Sequence, residues 1–343
     1  MKNEAKMNPE VTIIEKADVV SNRMTPQVIQ DNKVSVILFI LLFIITAILA
    51  PEFYNMQNII NVTRQASVIG VVSVGMTFVI LAGGIDLSVG AIFVVVGVSF
   101  ASMIKQGVPL SAAILFSLII GIIGGFINGI GVTFFGIQPF IMTLGTMAVG
   151  NGVALLISNG TPISFKSESS IINLLGNGAI AGVPGPVIIF ILSAVVAGIV
   201  LRFLYFGRFV YGIGGSLEAA RLSGVRTTRI LIVVYIISGL CTAIAGIIGT
   251  SRLFVGSPTA GGSIMLDSIA AVVIGGTSLM GGRGSILGTV AGVFLLAMVA
   301  NLLNLLGVPP FNQQIAKGVI IIAAILFTSQ GLRQRIKQQW SGL

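Results

Sequence analysis

The chain has 343 residues, of which 55% are hydrophobic and only 8% charged, with a net charge of +9 and a mean hydropathy of +1.07. Soluble domains carry roughly 25% charged residues, so this composition excludes a water-soluble globular protein and indicates a protein that crosses the membrane several times. There is no histidine and only one cysteine, Cys241, which excludes histidine-based catalysis, an intrachain disulfide and a cysteine metal cluster, so we expect no catalytic and no metal site.

The first 33 residues are polar, and their charges cancel, with five Lys or Arg against five Asp or Glu. They contain no apolar core of the kind that a signal peptide needs. We therefore predict a disordered cytoplasmic tail at 1–33, a transmembrane domain at 34–329 and a second cytoplasmic tail at 330–343.

Apolar runs predict about ten transmembrane helices, because roughly 20 apolar residues cross a hydrocarbon core about 30 Å thick. Several runs are short or interrupted by glycine and are candidates for broken helices. The segment 51–65 is too polar to cross and is predicted to lie at the interface. The predicted fold is thus an all-α polytopic membrane protein, with spans at 34–50, 66–83, 88–104, 109–127, 138–158, 186–206, 230–249, 268–282, 285–306 and 313–329.

The distribution of Lys and Arg predicts the orientation, because these residues accumulate on the cytoplasmic side of membrane proteins. Ten spans place both termini on the same side. With the N-terminus inside, 14 of the 19 basic residues fall in cytoplasmic segments. Both termini and the loop 207–229 are therefore predicted to be cytoplasmic.

The first unusual motif is Gly83-Gly-Ile-Asp-Leu-Ser-Val-Gly90, which joins two spans almost without a loop. Adjacent glycines end a helix, since glycine disfavours helix interiors and adopts left-handed angles freely. Asp86 and Ser88 suit the cap of the next helix, where side-chain oxygens accept from free N–H groups. Gly83, Gly84, Asp86, Ser88 and Gly90 are also candidates for a hinge or gate near the cytoplasmic end of a pathway, and both interpretations stay open.

A similar pattern recurs at Gly281-Gly-Arg-Gly-Ser-Ile-Leu-Gly288, again between two spans. It makes Gly281, Gly282 and Arg283 a second candidate hinge or gate and hints at an internal duplication, although a chain with 44 glycines can produce such a likeness by chance. Arg283 is a candidate partner for a carboxylate such as Asp86 or for a lipid phosphate. Its alternative role is that of a plain positive anchor on the cytoplasmic side.

Polar residues in or beside the spans are candidates for the path of a polar solute, because an unpaired amide in hydrocarbon is costly. For each amide, hydrogen bonding between helices is the alternative. For the acidic candidate, which precedes the span 268–282, the alternatives are a helix cap and a place at an external gate. The candidates are Asn128, Asn151, Asn301, Asn304 and Asp267.

The loop 207–229 contains Glu218-Ala-Ala-Arg-Leu-Ser-Gly224, with five arginines in or beside it. A short, basic and helical segment between spans is a candidate docking element for a cytoplasmic partner. No Gly-Lys dipeptide occurs in the chain, so it has no P-loop of the usual kind and does not bind ATP in that way. The energy for transport is therefore expected to come from another protein.

Four segments resemble bacterial ABC-importer permeases of the ribose/xylose/arabinose group. The resemblance implies a type II ABC-importer-like fold in the bacterial inner membrane, with two permease copies, as a homodimer, forming the pathway. Carried over by motif, the residues of the coupling helix are Glu218, Ala219, Ala220, Arg221 and Gly224. The resembling segments are Val74–Gly90, Glu218–Gly224, Pro258–Gly261 and Leu266–Leu279.

The same resemblance implies several partners. A cytoplasmic ATPase, often with two fused nucleotide-binding halves, would bind ATP and magnesium, while this chain itself would hold no cofactor. A periplasmic or lipid-anchored binding protein would deliver a monosaccharide or a related polyol, and the permease would contact lipid but no nucleic acid. The chain departs from the family pattern at Met265, where Glu is usual, and at Ser216, where Asn is common, and this weakens any transfer of the substrate's identity.

A secondary transporter driven by an ion gradient is the competing prediction. Such proteins usually bury an acidic residue in the middle of the membrane to bind the coupling ion. By the predicted spans, every acidic residue lies in a tail, in a loop or at the end of a span. This placement favours the ATP-driven importer.

Overall fold

The structure, a computed structural model, describes residues 43–44, 46, 48–309, 311–316, 318–319 and 322. The predicted tails and most of the first and last predicted spans lie outside these residues. In the described part, a short 3-10 helix, Pro51–Tyr54, precedes eleven α-helices. These are α1 (Met56–Leu81), α2 (Val89–Lys105), α3 (Leu110–Thr133), α4 (Pro139–Ser158), α5 (Ser170–Gly176), α6 (Gly185–Phe203), α7 (Tyr205–Gly215), α8 (Leu217–Leu222), α9 (Thr227–Leu253), α10 (Gly261–Ile274) and α11 (Ile286–Leu305).

Four strands of two residues each complete the described elements. β1 (Ile163–Ser164) pairs antiparallel with β4 (Val255–Gly256), and β2 (Ala179–Ile180) pairs antiparallel with β3 (Val183–Pro184). The two residues between β2 and β3 have positive φ, as a tight hairpin turn requires. These strands only brace connections between helices, so the fold is all-α as predicted.

Six of the described helices, α1, α3, α4, α6, α9 and α11, are long and apolar enough to cross a membrane. Two shorter apolar helices, α2 and α10, have 17 and 14 residues. At 1.5 Å per residue α10 is about 21 Å long, shorter than a hydrocarbon core of about 30 Å. The prediction of an all-α polytopic membrane protein is confirmed, and each predicted span between 66 and 306 overlaps one of these eight helices.

The predicted boundary between an interfacial segment at 51–65 and a first span at 66 needs correction. α1 is continuous from Met56 and is capped by Asn55, whose side chain accepts from the backbone N–H of Gln57 at 2.9 Å. Its polar first turns have partners, since the amides of Asn58 and Asn301 each donate to the other at 2.9 Å. Hydropathy does not register such pairing, which is why the start of the helix was predicted ten residues too late.

The core lies around α9, which packs along α1, α2 and α3. Small residues let α3 and α9 approach closely. A Cβ added to Gly125 would overlap the carbonyl oxygen of Tyr235, and one added to Gly239 would overlap that of Gly121. By contrast, α3, α4 and α6 keep most of their outer surfaces exposed.

Contacts between loops show that the connections between helices lie at two opposite ends of the molecule. At one end the Arg64 guanidinium donates to the carbonyl oxygen of Asn177, whose side-chain amide donates to the carbonyl oxygen of Arg252 at 2.9 Å. At the other end Leu81, which closes α1, contacts the turn that leads from α7 into α8. The positively charged loop 207–229 and the long connection at 159–184 therefore lie at different ends of the helices.

Candidate functional site

The segment that contains Glu218 forms the short surface helix α8, as expected. Ser216 caps its start by accepting from the backbone N–H of Ala219 at 3.2 Å, and Gly224 follows its end with a φ of +81°. The charged side chains of Glu218 and Arg221 are exposed. They are available to a partner, with no rearrangement of the helix needed.

One side of α8 is held to the rest of the chain, because Ala220 is buried while the residues around it are exposed. Arginines surround the helix, and the guanidinium of Arg208 lies 4.7 Å from the centre of the Tyr205 ring. The exposed arginines near α8, apart from its own, are Arg202, Arg208, Arg226 and Arg229. This end of the molecule therefore presents a basic surface around the exposed carboxylate of Glu218.

The two predicted Gly-Gly turns lie in contact, although they are far apart in the sequence. Gly83, Gly281 and Gly282 have φ values of +83°, +82° and +71°, a conformation that favours glycine. The backbone N–H of Gly282 donates to the carbonyl oxygen of Leu81 at 2.9 Å, and a Cβ added to Gly281 would lie 2.9 Å from the Cα of Gly83. The two candidate hinges thus form one structural unit.

Asp86 lies at the centre of a buried hydrogen-bond network. Its Oδ1 accepts from the backbone N–H and hydroxyl of Ser88 at 3.0 and 2.6 Å, and its Oδ2 accepts from the Ser238 hydroxyl at 2.8 Å. Asn128 donates to the Ser88 hydroxyl oxygen at 2.7 Å and accepts from the Thr146 hydroxyl at 2.6 Å. The network therefore links α3, α4 and α9 to the connection between α1 and α2.

This network revises the predicted roles of its members. The Asp86 side chain does accept a backbone N–H ahead of α2. Ser88 is the N-cap residue of α2, as predicted, but the cap hydrogen bond predicted for its side chain is not formed. For Asn128, the structure shows hydrogen bonding between helices. Ser238 lies 11 residues into α9, or about 17 Å along its axis, so Asp86 lies well inside the bundle.

The other members of the predicted hinges have separate surroundings. A Cβ added to Gly90 would lie 2.6 Å from the carbonyl oxygen of Gly261, at the start of α10. A Cβ added to Gly84 would lie 2.8 Å from the Tyr235 hydroxyl. Arg283 is exposed, whereas Asp86 is fully buried among serine donors, so the pairing considered for these two residues is not formed.

Three candidates for the solute path line one cavity between α1, α10 and α11. Its polar groups come from Gln65, Asp267, Asn301 and Asn304. With a volume of about 30 Å³ it has room for a water molecule or two. A monosaccharide does not fit in this conformation, so the cavity would have to widen before it could pass one.

The predicted cap role of Asp267 is wrong. α10 begins at Gly261, so Asp267 lies in the middle of a helix, and it is 7% exposed. The chain thus does hold a buried acidic residue inside an apolar helix, as well as the fully buried Asp86. Buried acidic residues are what a gradient-driven transporter uses to bind its coupling ion, so their placement in this chain does not exclude such a transporter.

The remaining amides differ in their surroundings. Asn301 pairs with Asn58 on α1, and Asn304 accepts from the side-chain amide of Gln313 at 2.9 Å. Asn151 is exposed on α4 and does not line the cavity. The sequence did not single out the hydroxyls of Ser238 and Thr146, because Ser and Thr are common in apolar helices and carry no signal alone. It did not single out Asn58 because that residue lies in the segment 51–65, which was predicted to be interfacial.

Comparison with known proteins gives consistent matches. The family described as "Branched-chain amino acid transport system / permease component" matches residues 58–325. The ribose import permease protein of Bacillus subtilis (strain 168) is 46% identical over 289 residues, covering 84% of this chain and 89% of that protein.

Two further relatives have similar coverage. The ribose import permease protein of Haemophilus influenzae (strain ATCC 51907 / DSM 11121 / KW20 / Rd) is 41% identical, covering 85% of this chain and 91% of that protein. The galactofuranose transporter permease protein of Escherichia coli (strain K12) is 36% identical, covering 87% and 89%. No solved structure gives a significant match.

Proposed function

This chain belongs to the branched-chain amino acid transport system / permease component family, and we propose that it is the permease subunit of an ATP-driven ABC importer for a monosaccharide or related polyol. The observation that carries the proposal is the 46% identity to a ribose import permease across 84% of the chain. The exposed helix α8 agrees with it, since an importer permease needs a surface that an ATPase can hold.

The proposed solute class rests on the relatives and on the cavity. The family description names branched-chain amino acids, whereas the relatives described above are named for ribose and galactofuranose. The amide and carboxyl groups of Gln65, Asp267, Asn301 and Asn304 suit a solute rich in hydroxyl groups better than an aliphatic side chain. We therefore infer a sugar, with ribose as the first to test.

In the proposed mechanism the ATPase uses the energy of ATP, and the permease forms the pathway for the sugar. Two copies of the chain enclose the pathway, and a cytoplasmic ATPase holds α8 of each copy through Glu218, Arg221 and the neighbouring arginines. ATP binding brings the two ATPase halves together and displaces α8, which switches access to the cavity between the two sides. A sugar-binding protein docks at the opposite end, where the connection 159–184 lies.

The proposed orientation follows from charge. The end that carries α8 holds exposed Arg202, Arg208, Arg226 and Arg229, as the cytoplasmic end of a membrane protein does. We infer a bacterial inner membrane with α8 on the cytoplasmic side, and the charge at this end supports that orientation. The little-buried α3, α4 and α6 would contact lipid or the second copy.

Purification of the tagged chain from its native membrane tests the proposal. We expect an ATPase to co-purify in stoichiometric amount and a soluble binding protein to join the complex, after which ribose should raise the unfolding temperature of that binding protein. A chain that purifies alone and moves ribose under an ion gradient would overturn the proposal. Buried Asp86 and Asp267 would then be the first candidates for the ion site.

A further inference from the structure

A third Gly-Gly pair, Gly214–Gly215, ends α7 directly before α8 and contacts both turns described above. A Cβ added to Gly214 would overlap the carbonyl oxygen of Leu81 and lie 2.5 Å from the backbone nitrogen of Gly282. A Cβ added to Gly281 would lie 2.8 Å from the carbonyl oxygen of Gly214. The backbone leading into α8 is thus packed between the end of α1 and the turn before α11.

A side-chain hydrogen bond fastens the same segment at a second point. The hydroxyl of Tyr211 on α7 donates to the carbonyl oxygen of Gly284 at 2.9 Å. Burial raises the pKa of this hydroxyl above its ordinary value, so it stays protonated and remains a donor at physiological pH. Together with the glycine contacts, this bond ties α7 to the second turn over several residues.

The two turns, at Gly83–Gly84 and at Gly281–Gly284, contact buried hydroxyl groups deeper in the bundle. Gly84 lies against the hydroxyl of Tyr235 on α9, and Gly284 lies against Thr277. Both hydroxyls are buried and, among the described residues, have no hydrogen-bond partner. Because a buried unpaired hydroxyl is costly, a shift of either turn that gave it a partner would be favoured. One helical turn beyond Tyr235, Ser238 holds Asp86.

We propose that Gly83, Gly214 and Gly281–Gly282 form one joint, which transmits the displacement of α8 to both turns at the same time. We call these residues the glycine joint. The inference rests on the proposed function and adds residues to it, since it assigns Gly214 and Tyr211 as positioning residues for coupling. The first turn moves Asp86 and its network, while the second lies between α10, which carries Asp267, and α11, which carries Asn301.

Close backbone contact explains why the joint is made of glycine. The backbone segments at Gly83, Gly214 and Gly281–Gly282 touch directly, because no side chains lie between them. No side-chain rotation can therefore absorb a displacement of α8. The neighbouring Gly215 provides a contrast, because a Cβ added there would meet nothing within 4 Å. One methyl group at 214 separates the backbones, whereas the same group at 215 does not.

The test compares three variants of the complete complex of permease, ATPase and binding protein in proteoliposomes. They are Gly214→Ala, Gly215→Ala as the matched control, and Tyr211→Phe, which removes the hydrogen bond and adds no bulk. Two quantities are measured with ribose as the probe: ATP hydrolysis, and sugar moved per ATP hydrolysed. The amount of sugar moved per ATP falls when the displacement of α8 is no longer transmitted. Loss of folded protein instead lowers the rates of ATP hydrolysis and of sugar transport together, and leaves their ratio unchanged.

We expect Gly214→Ala to keep the ATPase bound and hydrolysing while ribose moved per ATP falls at least about tenfold, as a loss of about 1.4 kcal/mol in coupling gives. Gly215→Ala should stay within about twofold of the unchanged protein, and Tyr211→Phe should lose about threefold or more. Equal coupling in Gly214→Ala and Gly215→Ala overturns the joint. Should Gly214→Ala fail to assemble, Tyr211→Phe decides, and normal coupling there overturns the proposal.

Failure of the inference can be told apart from failure of the proposed function. If the unchanged complex imports nothing with ATP, the importer itself is contradicted. If it imports and all three variants couple normally, only the glycine joint is contradicted.

Discussion

The hydroxyl of Ser238 donates to Oδ2 of Asp86 at 2.8 Å and joins the middle of α9 to the connection between α1 and α2. Both residues are fully buried. The carboxyl group is thus held from α9 on one oxygen and from its own connection, through Ser88, on the other. The position of Asp86 depends on contacts between segments that the chain brings together only on folding.

Replacing Ser238 by Ala should destabilise the protein by about 1–3 kcal/mol, because one carboxyl oxygen would stay buried without its donor. The sole cysteine, Cys241, is buried on the same helix, so a thiol-reactive dye in detergent reports unfolding. Ser193→Ala is the control, since among the described residues that hydroxyl bonds only within its own helix α6, to the carbonyl oxygen of Phe190. Equal unfolding temperatures for the two variants would contradict the structural role of the Ser238–Asp86 bond.

The reciprocal amide pair of Asn58 and Asn301 should couple α1 to α11. In a double-mutant cycle with alanine, we expect an interaction of about 0.6–2 kcal/mol, the range found for side-chain hydrogen bonds in membranes. Asn151→Ala, on the exposed face of α4, should leave the unfolding temperature unchanged. Strictly additive effects of the Asn58 and Asn301 variants would show that the pair does not form.

Close packing of α3 on α9 should make Gly125 intolerant of a side chain. Gly125→Ala is expected to cost about 1–3 kcal/mol, because the new Cβ would overlap the carbonyl oxygen of Tyr235 and force two backbones apart. A Cβ at Gly152 on α4 meets nothing within 4 Å, so Gly152→Ala should be neutral. The same dye measurement at Cys241 checks both, and an unaffected Gly125→Ala would argue that the two helices pack less closely.

Charge reversal on α8 should separate coupling from folding. Glu218 is exposed, so Glu218→Lys should leave the unfolding temperature unchanged while ATP-driven uptake falls at least about tenfold. Glu52→Lys, also exposed but in the 3-10 helix ahead of α1, makes the same change in charge away from α8 and should have no effect on uptake. Normal uptake by Glu218→Lys would remove this carboxylate from the proposed contact with the ATPase.

Much of the architecture could be predicted from the sequence, because burial in lipid imposes a strong local signal. Apolar runs located α2, α4, α6, α9 and α11 to within about four residues, and the Gly83–Gly84 pair marked the end of α1. The short helix around Glu218 was also visible, since a polar segment rich in arginine lies between apolar runs.

What could not be predicted depends on contacts between distant segments. The start of α1 looked too polar to cross because Asn58 finds its partner only on α11. α10 was placed seven residues too late, so that Asp267 seemed to be a cap, because the helix begins in the small, weakly apolar stretch at Gly261. The meeting of Gly83, Gly214 and Gly281 leaves no trace in hydropathy, since it arises from tertiary packing alone.

ATP-driven uptake of ribose into proteoliposomes tests the central claim most directly. The vesicles contain the chain with its co-purified ATPase and binding protein, and uptake is compared with ATP, with ADP, and with an imposed proton or sodium gradient. The account predicts uptake with ATP alone, lost when the ATPase is omitted. Uptake by the lone chain that follows the gradient and ignores ATP would contradict it.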